Sequence, residues 1–208
     1  MESNHIIINV GRQVCAGGLE IGRLLAEEFH AKYYDRELLN LAARESGFSE
    51  ELFKNSDERK GFLRSFFHLS RVGGLGGDNF YQNDFSQEGL FKFQSDAIIK
   101  AAQESSCVFV GRCADYVLRD FRNVVNIFVT APMGARATLF MKEKGVSYEE
   151  AVKRIEQIEN RRASYYNYYT GKKWGYATSY DLCVDSSLLG IEETAKLVAE
   201  FIHKRFER

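Results

Sequence analysis

Nothing in the 208 residues runs to about 18 consecutive apolar positions, the length a membrane-spanning helix needs, so no transmembrane helix is expected. The N-terminal MESNHIIINV has no basic region followed by a long apolar segment. It reads as the approach to a strand rather than as a signal peptide. Charge of one sign is also missing: 28 Lys and Arg against 29 Asp and Glu leave a formal −1. That balance offers no global attraction to nucleic acid or to an acidic membrane, so any basic site must be local. Cys15, Cys107, Cys113 and Cys183 are scattered without C-x-x-C pairing. They give no basis for a disulfide framework or a zinc site, and reduced thiols in a cytoplasmic protein are the expectation. No internal repeat or low-complexity tract is present. The length suits one well-buried core, with room for a mobile subdomain.

What is present begins with the stretch His5 to Phe29. Ile6, Ile7, Ile8 and Val10 form an apolar run of the kind a parallel strand buried on both faces shows. A loop from Gly11 to Gly18 follows, then Ile21, Leu24, Leu25 and Phe29 recur at helical spacing. Gly17 and Gly18 stand where the helix begins, so backbone amides there point at a close ligand, and phosphate is the natural anion. The phosphate-loop motif G-x-x-x-x-G-K-[ST] is incomplete. With Gly17 as its second glycine, Arg12 occupies the first glycine's place, Gly18 the lysine's and Leu19 the hydroxyl residue's. A tight strand-to-helix turn without a ligand is the bland alternative. Cys15 reads more readily as a small loop residue than as a reactive thiol. The dinucleotide fingerprint G-x-G-x-x-G is absent.

Further along, Lys32 to Asp35 reads as a short strand ending in a carboxylate. Asp35 suits both an N-cap for a helix over 36–45 and a ligand position at a strand's carboxyl end. Asp57 to Arg71 is basic and aromatic; packing on the body is the commoner reading, a lid segment the other. His68 there is isolated and is assigned no catalysis. Gly73 to Asn79 reads as a loop tip or hinge, and Phe85 to Ser105 as a helix. Cys107 to Val110 is a second buried strand, ending in Gly111-Arg112-Cys113-Ala114-Asp115. Arg112 is suited to a bidentate phosphate contact. Asp115 would orient it, bind Mg2+ through water, or begin the helix Tyr116 to Arg119.

Val124 to Thr130 is a third strand, broken by Pro132, the only proline. A helix carrying Arg136 follows and ends near Gly145. Ser147-Tyr148-Glu149-Glu150 is a capping box that starts a long helix. On it, Arg154 and Arg161 share a face about 10 Å apart along the axis, with Arg162 flanking. These charges read either as a solvated surface or as a lid closing on phosphate. Tyr165 to Tyr176 carries five tyrosines, a tryptophan and two lysines. Base stacking on nucleic acid is one reading. A rigid aromatic loop packing the lid on the core is the other, and the charge balance favours it. Tyr180 to Asp185 is a last strand, and Gly190 to Phe206 an amphipathic helix. Strands alternating with helices imply an α/β fold with a parallel sheet and right-handed crossovers.

In this order the segments GGLEIGRLLAEEF, YYDRELLNLAA, VFVGRCADYVL, IFVTAPMGAR, RRASYYNYYTGKKW and YDLCVDSSLLGIEE resemble the cytidylate kinase-like family of P-loop nucleoside monophosphate kinases. The similarity spans nearly the whole chain. The resemblance implies a P-loop NTPase-type three-layer fold. It would be a single domain, 1–208, with an acceptor-binding insertion at 36–105 and a lid at 133–176. It implies ATP and Mg2+ as cofactors and nucleotides as substrates. No membrane or nucleic-acid partner is expected, and a homodimer is left open. Gly11, Arg12, Ala16, Gly17, Gly18, Leu19 and Glu20 would surround the donor phosphates. Asp35 would sit beside the acceptor or Mg2+, with Asp115 a second metal candidate. Arg112 would hold the acceptor phosphate. Arg136, Arg154 and Arg161 or Arg162 would close over the transferring group, and Asp185 would be structural. Divergent members share the double glycine in place of the lysine, and Arg12 is by position a substitute cation. The implied activity is ATP-dependent phosphorylation of a nucleoside monophosphate, with CMP or dCMP favoured. A regulatory nucleotide-binding protein without turnover is the alternative, and an RNA-binding surface at Tyr165 to Tyr176 the third.

Overall fold

The computed structural model describes residues 5–35 and 84–207. The expectations for 36–83, including the basic aromatic segment and the glycine tract, lie outside them. Among the described residues five strands form one parallel sheet: β1 (Ile7–Arg12), β2 (Lys32–Tyr34), β3 (Cys107–Val110), β4 (Val124–Thr130) and β5 (Leu182–Asp185), in the order β2-β3-β1-β4-β5. The helices are α1 (Gly18–Glu28), α2 (Asp84–Glu104), α3 (Ala114–Val117), α4 (Met133–Lys144), α5 (Tyr148–Thr170) and α6 (Ser186–Phe206).

Strand side chains alternate between faces, and each face finds its own helices. Ile8, Val10, Val108, Val110, Ile127 and Val129 pack against Ile21 and Leu25 of α1 and Val198 and Ile202 of α6. Ile7, Cys107 and Phe109 point the other way, onto Phe93, Ala97 and Ile98 of α2. Each such buried aliphatic or aromatic side chain contributes about 1.5–3 kcal/mol. The result is a three-layer architecture, a parallel sheet between two helical layers. The one polar side chain in the middle of β1, Asn9, is buried but donates Nδ2 to Oδ1 of its register partner Asn126 at 2.9 Å.

The α4–α5 hairpin makes a third, smaller core. Ala137 and Phe140 meet Ala151 and Ile155, and Val14, from the loop after β1, is part of the same cluster. Gly145 ends α4 in the left-handed region at φ 64°, and Ser147 starts α5 by accepting the Glu150 amide at 3.2 Å. The hairpin is therefore seated on the glycine loop.

Several boundaries differ from the sequence expectation, among them the start of β5, at Leu182 rather than Tyr180. β1 continues past Val10, because β4 offers Phe128 and Val129 as register partners for Gly11 and Arg12. The helix after β3 covers Ala114–Val117 rather than starting at Tyr116. Tyr165 to Thr170 is the last part of α5, not a loop, and Gly171 at φ 67° ends it. The final helix starts at Ser186, capped by Asp185 through the Ser187 amide at 2.9 Å, and Gly190 (φ 78°, ψ 173°) interrupts it.

Candidate functional site

The order β2-β3-β1 brings the carboxyl ends of three strands together beside a switch in strand order, the place where open α/β sheets bind ligands. The loop after β1 is held in shape from several sides. The Gln13 amide donates to the Val129 carbonyl at 3.0 Å, the Val14 amide to Glu159 Oε1 at 3.0 Å, and Ser186 Oγ to the Ala16 carbonyl at 2.8 Å. Cys15 and Gly17 adopt left-handed φ values of 56° and 73°. From Cys15 to Glu20 the amides find no acceptor among the described residues; the helical ladder begins with Ile21 N–H to Gly17 O at 3.0 Å. A run of unpaired amides at the positive end of an 11-residue helix has the charge and geometry to receive an anion. Burial pushes the Cys15 thiol pKa up, so it stays a thiol rather than a nucleophile.

Arg12 leaves the end of β1 and runs over Gly18. A Cβ on Gly18 would stand inside 3.0 Å of both Cβ and Cγ of Arg12. The guanidinium then lies on Gly111, where a Cβ would collide with its Nη1. Gly111, Arg112 and Cys113 are three consecutive left-handed residues, at φ 81°, 62° and 56°. For a residue with a side chain this conformation costs about 1–2 kcal/mol, and such strain concentrates at ligand clamps. The turn sets Arg112 facing the Tyr165 phenol of α5. From α5 also comes Arg162, whose Nη1 donates to the Arg12 carbonyl at 3.2 Å.

Three guanidiniums thus converge, and among the described residues no carboxylate forms an ion pair with any of them. Burial, and then Arg162 and Arg112, hold Arg12 down to about 9, with Tyr33 and Asp35 offsetting only part of this. Burial lowers Arg112 and Arg162 as well. Arginine keeps its proton in proteins. The strain of three like charges is therefore relieved by an incoming anion.

The other sequence candidates are placed differently. Arg136 is buried, and it binds the Ala131 carbonyl through Nε at 2.8 Å and Glu159 through Nη1 at 2.7 Å. It clasps the loop instead of joining the cluster. Arg154 pairs with Glu150 on its own helix. Arg161 is exposed, with Nε directed to the Gln157 carbonyl at 3.3 Å, so of the adjacent pair it is Arg162 that turns inward. Asp35 follows β2, and its charge acts on Arg12 and Tyr33. Asp115 is committed elsewhere: it accepts the Tyr166 hydroxyl at 2.6 Å with Lys172 Nζ at 3.9 Å, and burial raises its pKa. Tyr166→Phe should therefore destabilise the fold by about 1–3 kcal/mol, the cost of an orphaned buried acceptor, read as a lower urea midpoint at unchanged slope.

The aromatic segment packs inward in part, while Tyr168 and Tyr176 stay exposed. Tyr169 stacks on Phe91 at 4.0 Å between ring centres, and Trp174 meets Phe128 edge-on at 5.4 Å. Glu159, which holds both Arg136 and the Val14 amide, had no sequence candidacy. Its only signal is its place three residues before Arg162 on a helix rich in arginine.

Among the described residues no three His, Cys, Asp or Glu side chains gather into a metal site, and no helix is long and apolar enough to cross a membrane. Mg2+ in kinases keeps several waters and takes one or two carboxylates plus substrate phosphates; of the two sequence candidates, Asp115 is held by Tyr166 and Lys172, which leaves Asp35.

Comparison with known proteins agrees with this architecture. A cytidylate kinase from Methanopyrus kandleri is 24% identical over 216 aligned positions, covering 100% of this chain and 98% of that one. A cytidylate kinase from Pyrococcus abyssi is 31% identical over 111 positions, covering 53% of this chain and 60% of that one. Among solved structures, an uncharacterized protein from Eubacterium ventriosum superposes with a TM-score of 0.70 at 23% identity, over 95% of this chain and 98% of that one. A shikimate kinase from Acinetobacter baumannii in complex with shikimate gives 0.51 at 13%, over 100% and 97%. With residues 7–188 matching the family as a whole, the chain belongs to the cytidylate kinase-like family.

Proposed function

We propose that the protein transfers the γ-phosphoryl group of ATP to a nucleoside monophosphate, with CMP or dCMP the favoured acceptor. The observation that carries this reading is the convergence of Arg12, Arg112 and Arg162, none of them ion-paired to a carboxylate among the described residues, beside the unpaired amides of Cys15 to Glu20. Phosphoryl transfer asks the protein mainly for in-line positioning and for positive charge around the moving group. The amides from Gly17 to Glu20 would hold the donor phosphates. Arg112 would hold the acceptor phosphate, and Arg162 would reach both from α5. Asp35 would hold Mg2+, which when bound neutralises charge developing between the phosphates. Arg136 and Glu159 would fix the loop that does the positioning. The preference for a cytosine base rests on the two archaeal cytidylate kinases.

A second reading has a specific basis: Gly18 and Leu19 replace the lysine and hydroxyl residue that P-loop enzymes use. A nucleotide-binding regulator without turnover would look the same elsewhere. Mg-ATP offered with each nucleoside monophosphate in turn, monitored for ADP, separates the two. The kinase gives acceptor-dependent ADP, fastest with CMP or dCMP. ATP-induced thermal stabilisation with no ADP on any acceptor identifies the regulator.

A further inference from the structure

We propose that Arg12 supplies, from the last residue of β1, the cation that P-loop enzymes take from their lysine. Gly18 and Gly111 are glycine so that this side chain can cross from the donor loop to the acceptor turn. The proposal deepens the phosphoryl-transfer reading and rests on it for the identity of the ligand.

Its basis is steric. The lysine of the motif would grow from position 18. That space is filled by Arg12, whose Cβ and Cγ both lie inside 3.0 Å of where a Gly18 Cβ would be. The Arg12 stem therefore occupies the lysine's own root. The guanidinium ends on Gly111, 99 residues beyond Arg12 in the chain, where any side chain would strike Nη1. One cation is thus shared between the two glycine turns that face each other across β1 and β3. A lysine rooted at position 18 and an arginine rooted at position 12 exclude each other. The missing lysine and the double glycine are then two sides of one substitution rather than a loss of function.

Electrostatics points the same way. A structural arginine in a partly buried place would be expected to sit on a carboxylate. Arg12 sits against Arg112 and Arg162 instead, and no ion pair to it exists among the described residues. Asp35 and Tyr33 offset part of this repulsion, and an incoming anion would offset the rest. Function held at the expense of stability is the usual signature of a binding residue.

The test compares Arg12→Ala, Gly18→Lys and the double Arg12→Gly/Gly18→Lys with the full wild-type chain. Inorganic triphosphate and Mg-ATP are the probes. Melting temperature is measured with and without triphosphate, and turnover with the best acceptor. Arg12→Ala should melt no lower than wild type without ligand, lose most of the stabilisation by triphosphate, and lose about 10²–10³-fold in turnover. Gly18→Lys should lose both because the two stems collide. The double should recover at least about tenfold in turnover over Arg12→Ala, since a glycine at position 12 carries no Cβ to strike that of the lysine. A melting temperature that drops in Arg12→Ala while triphosphate binding and turnover stay at wild-type values gives Arg12 a structural role and overturns the proposal. So does a Gly18→Lys single variant that works as well as wild type, or a double no better than Arg12→Ala. If wild type forms no ADP with any acceptor, the kinase reading fails by itself. Triphosphate binding across the same variants then still decides the place of Arg12: loss in both single variants with recovery in the double supports it, and binding indifferent to Arg12 overturns it.

Discussion

Replacing Glu159 with alanine is expected to lower the unfolding free energy by about 3–5 kcal/mol, because it strips a buried arginine of its only carboxylate among the described residues. Glu159 Oε1 accepts from Arg136 Nη1 at 2.7 Å and from the Val14 amide at 3.0 Å. The side chains of Arg136 and Glu159 are 4% and 14% exposed, so water cannot take over either role. For a chain of this size each lost kcal/mol lowers the melting temperature by about 2–4 °C, so a fall of roughly 6–20 °C is the expected calorimetric result. Glu159→Gln should cost less, since it leaves an oxygen for Val14. Removing both charges, as Arg136→Met/Glu159→Leu, should regain part of the loss, because no charge is then left buried alone. The effect on function follows from the same geometry. Val14 lies one residue before the unpaired amides, so loosening it spreads the anion site. ATP affinity should fall in step with stability in this series, which distinguishes Glu159 from a residue that meets the phosphate itself.

Arg112→Ala is expected to lower kcat/KM for the acceptor by about 10²–10³-fold, the usual range for one lost donor to a charged transferring group. Arg112→Lys should remain well below wild type, since an ammonium does not reproduce the planar two-point contact of a guanidinium. Arg112→Gly separates chemistry from strain. Position 112 holds φ 62° between two other left-handed residues. A glycine there removes a penalty of about 1–2 kcal/mol and one of three mutually repelling cations. That variant should melt at or above the wild-type temperature while losing the same turnover as alanine. A glycine variant that melts lower would mean that Arg112 holds the turn together rather than waiting for a ligand.

Most of the sheet was legible because the strands are buried on both faces, and so are written as apolar runs such as Cys107 to Val110 and Val124 to Thr130. The boundaries that moved were set by partners rather than by local pattern. Arg12 belongs to β1 only because β4 is long enough to pair with it. The site divided along the same line. Gly17, Gly18 and Arg112 were visible because a helix start and a strand end are local features. Which helix arginine turns inward was not, because Arg154, Arg161 and Arg162 differ only in rotation about α5 and in neighbours distant in sequence. Arg136 resembled a ligand contact by charge, yet its partner Glu159 lies 23 residues away on another helix. The Arg12 path over Gly18 and Gly111 is a three-dimensional fit between residues that no sequence spacing joins.

The central claim is that this P-loop, without its lysine, still receives a triphosphate by drawing charge from Arg12, Arg112 and Arg162. A crystal structure with a non-hydrolysable ATP analogue, Mg2+ and CMP tests it most directly. The expected structure has the triphosphate on the amides of Gly17 to Glu20 with the Arg12 guanidinium on it, and the acceptor phosphate on Arg112. A triphosphate bound away from that loop, or protein carboxylates closing on Arg12 and Arg112 in its place, would contradict it.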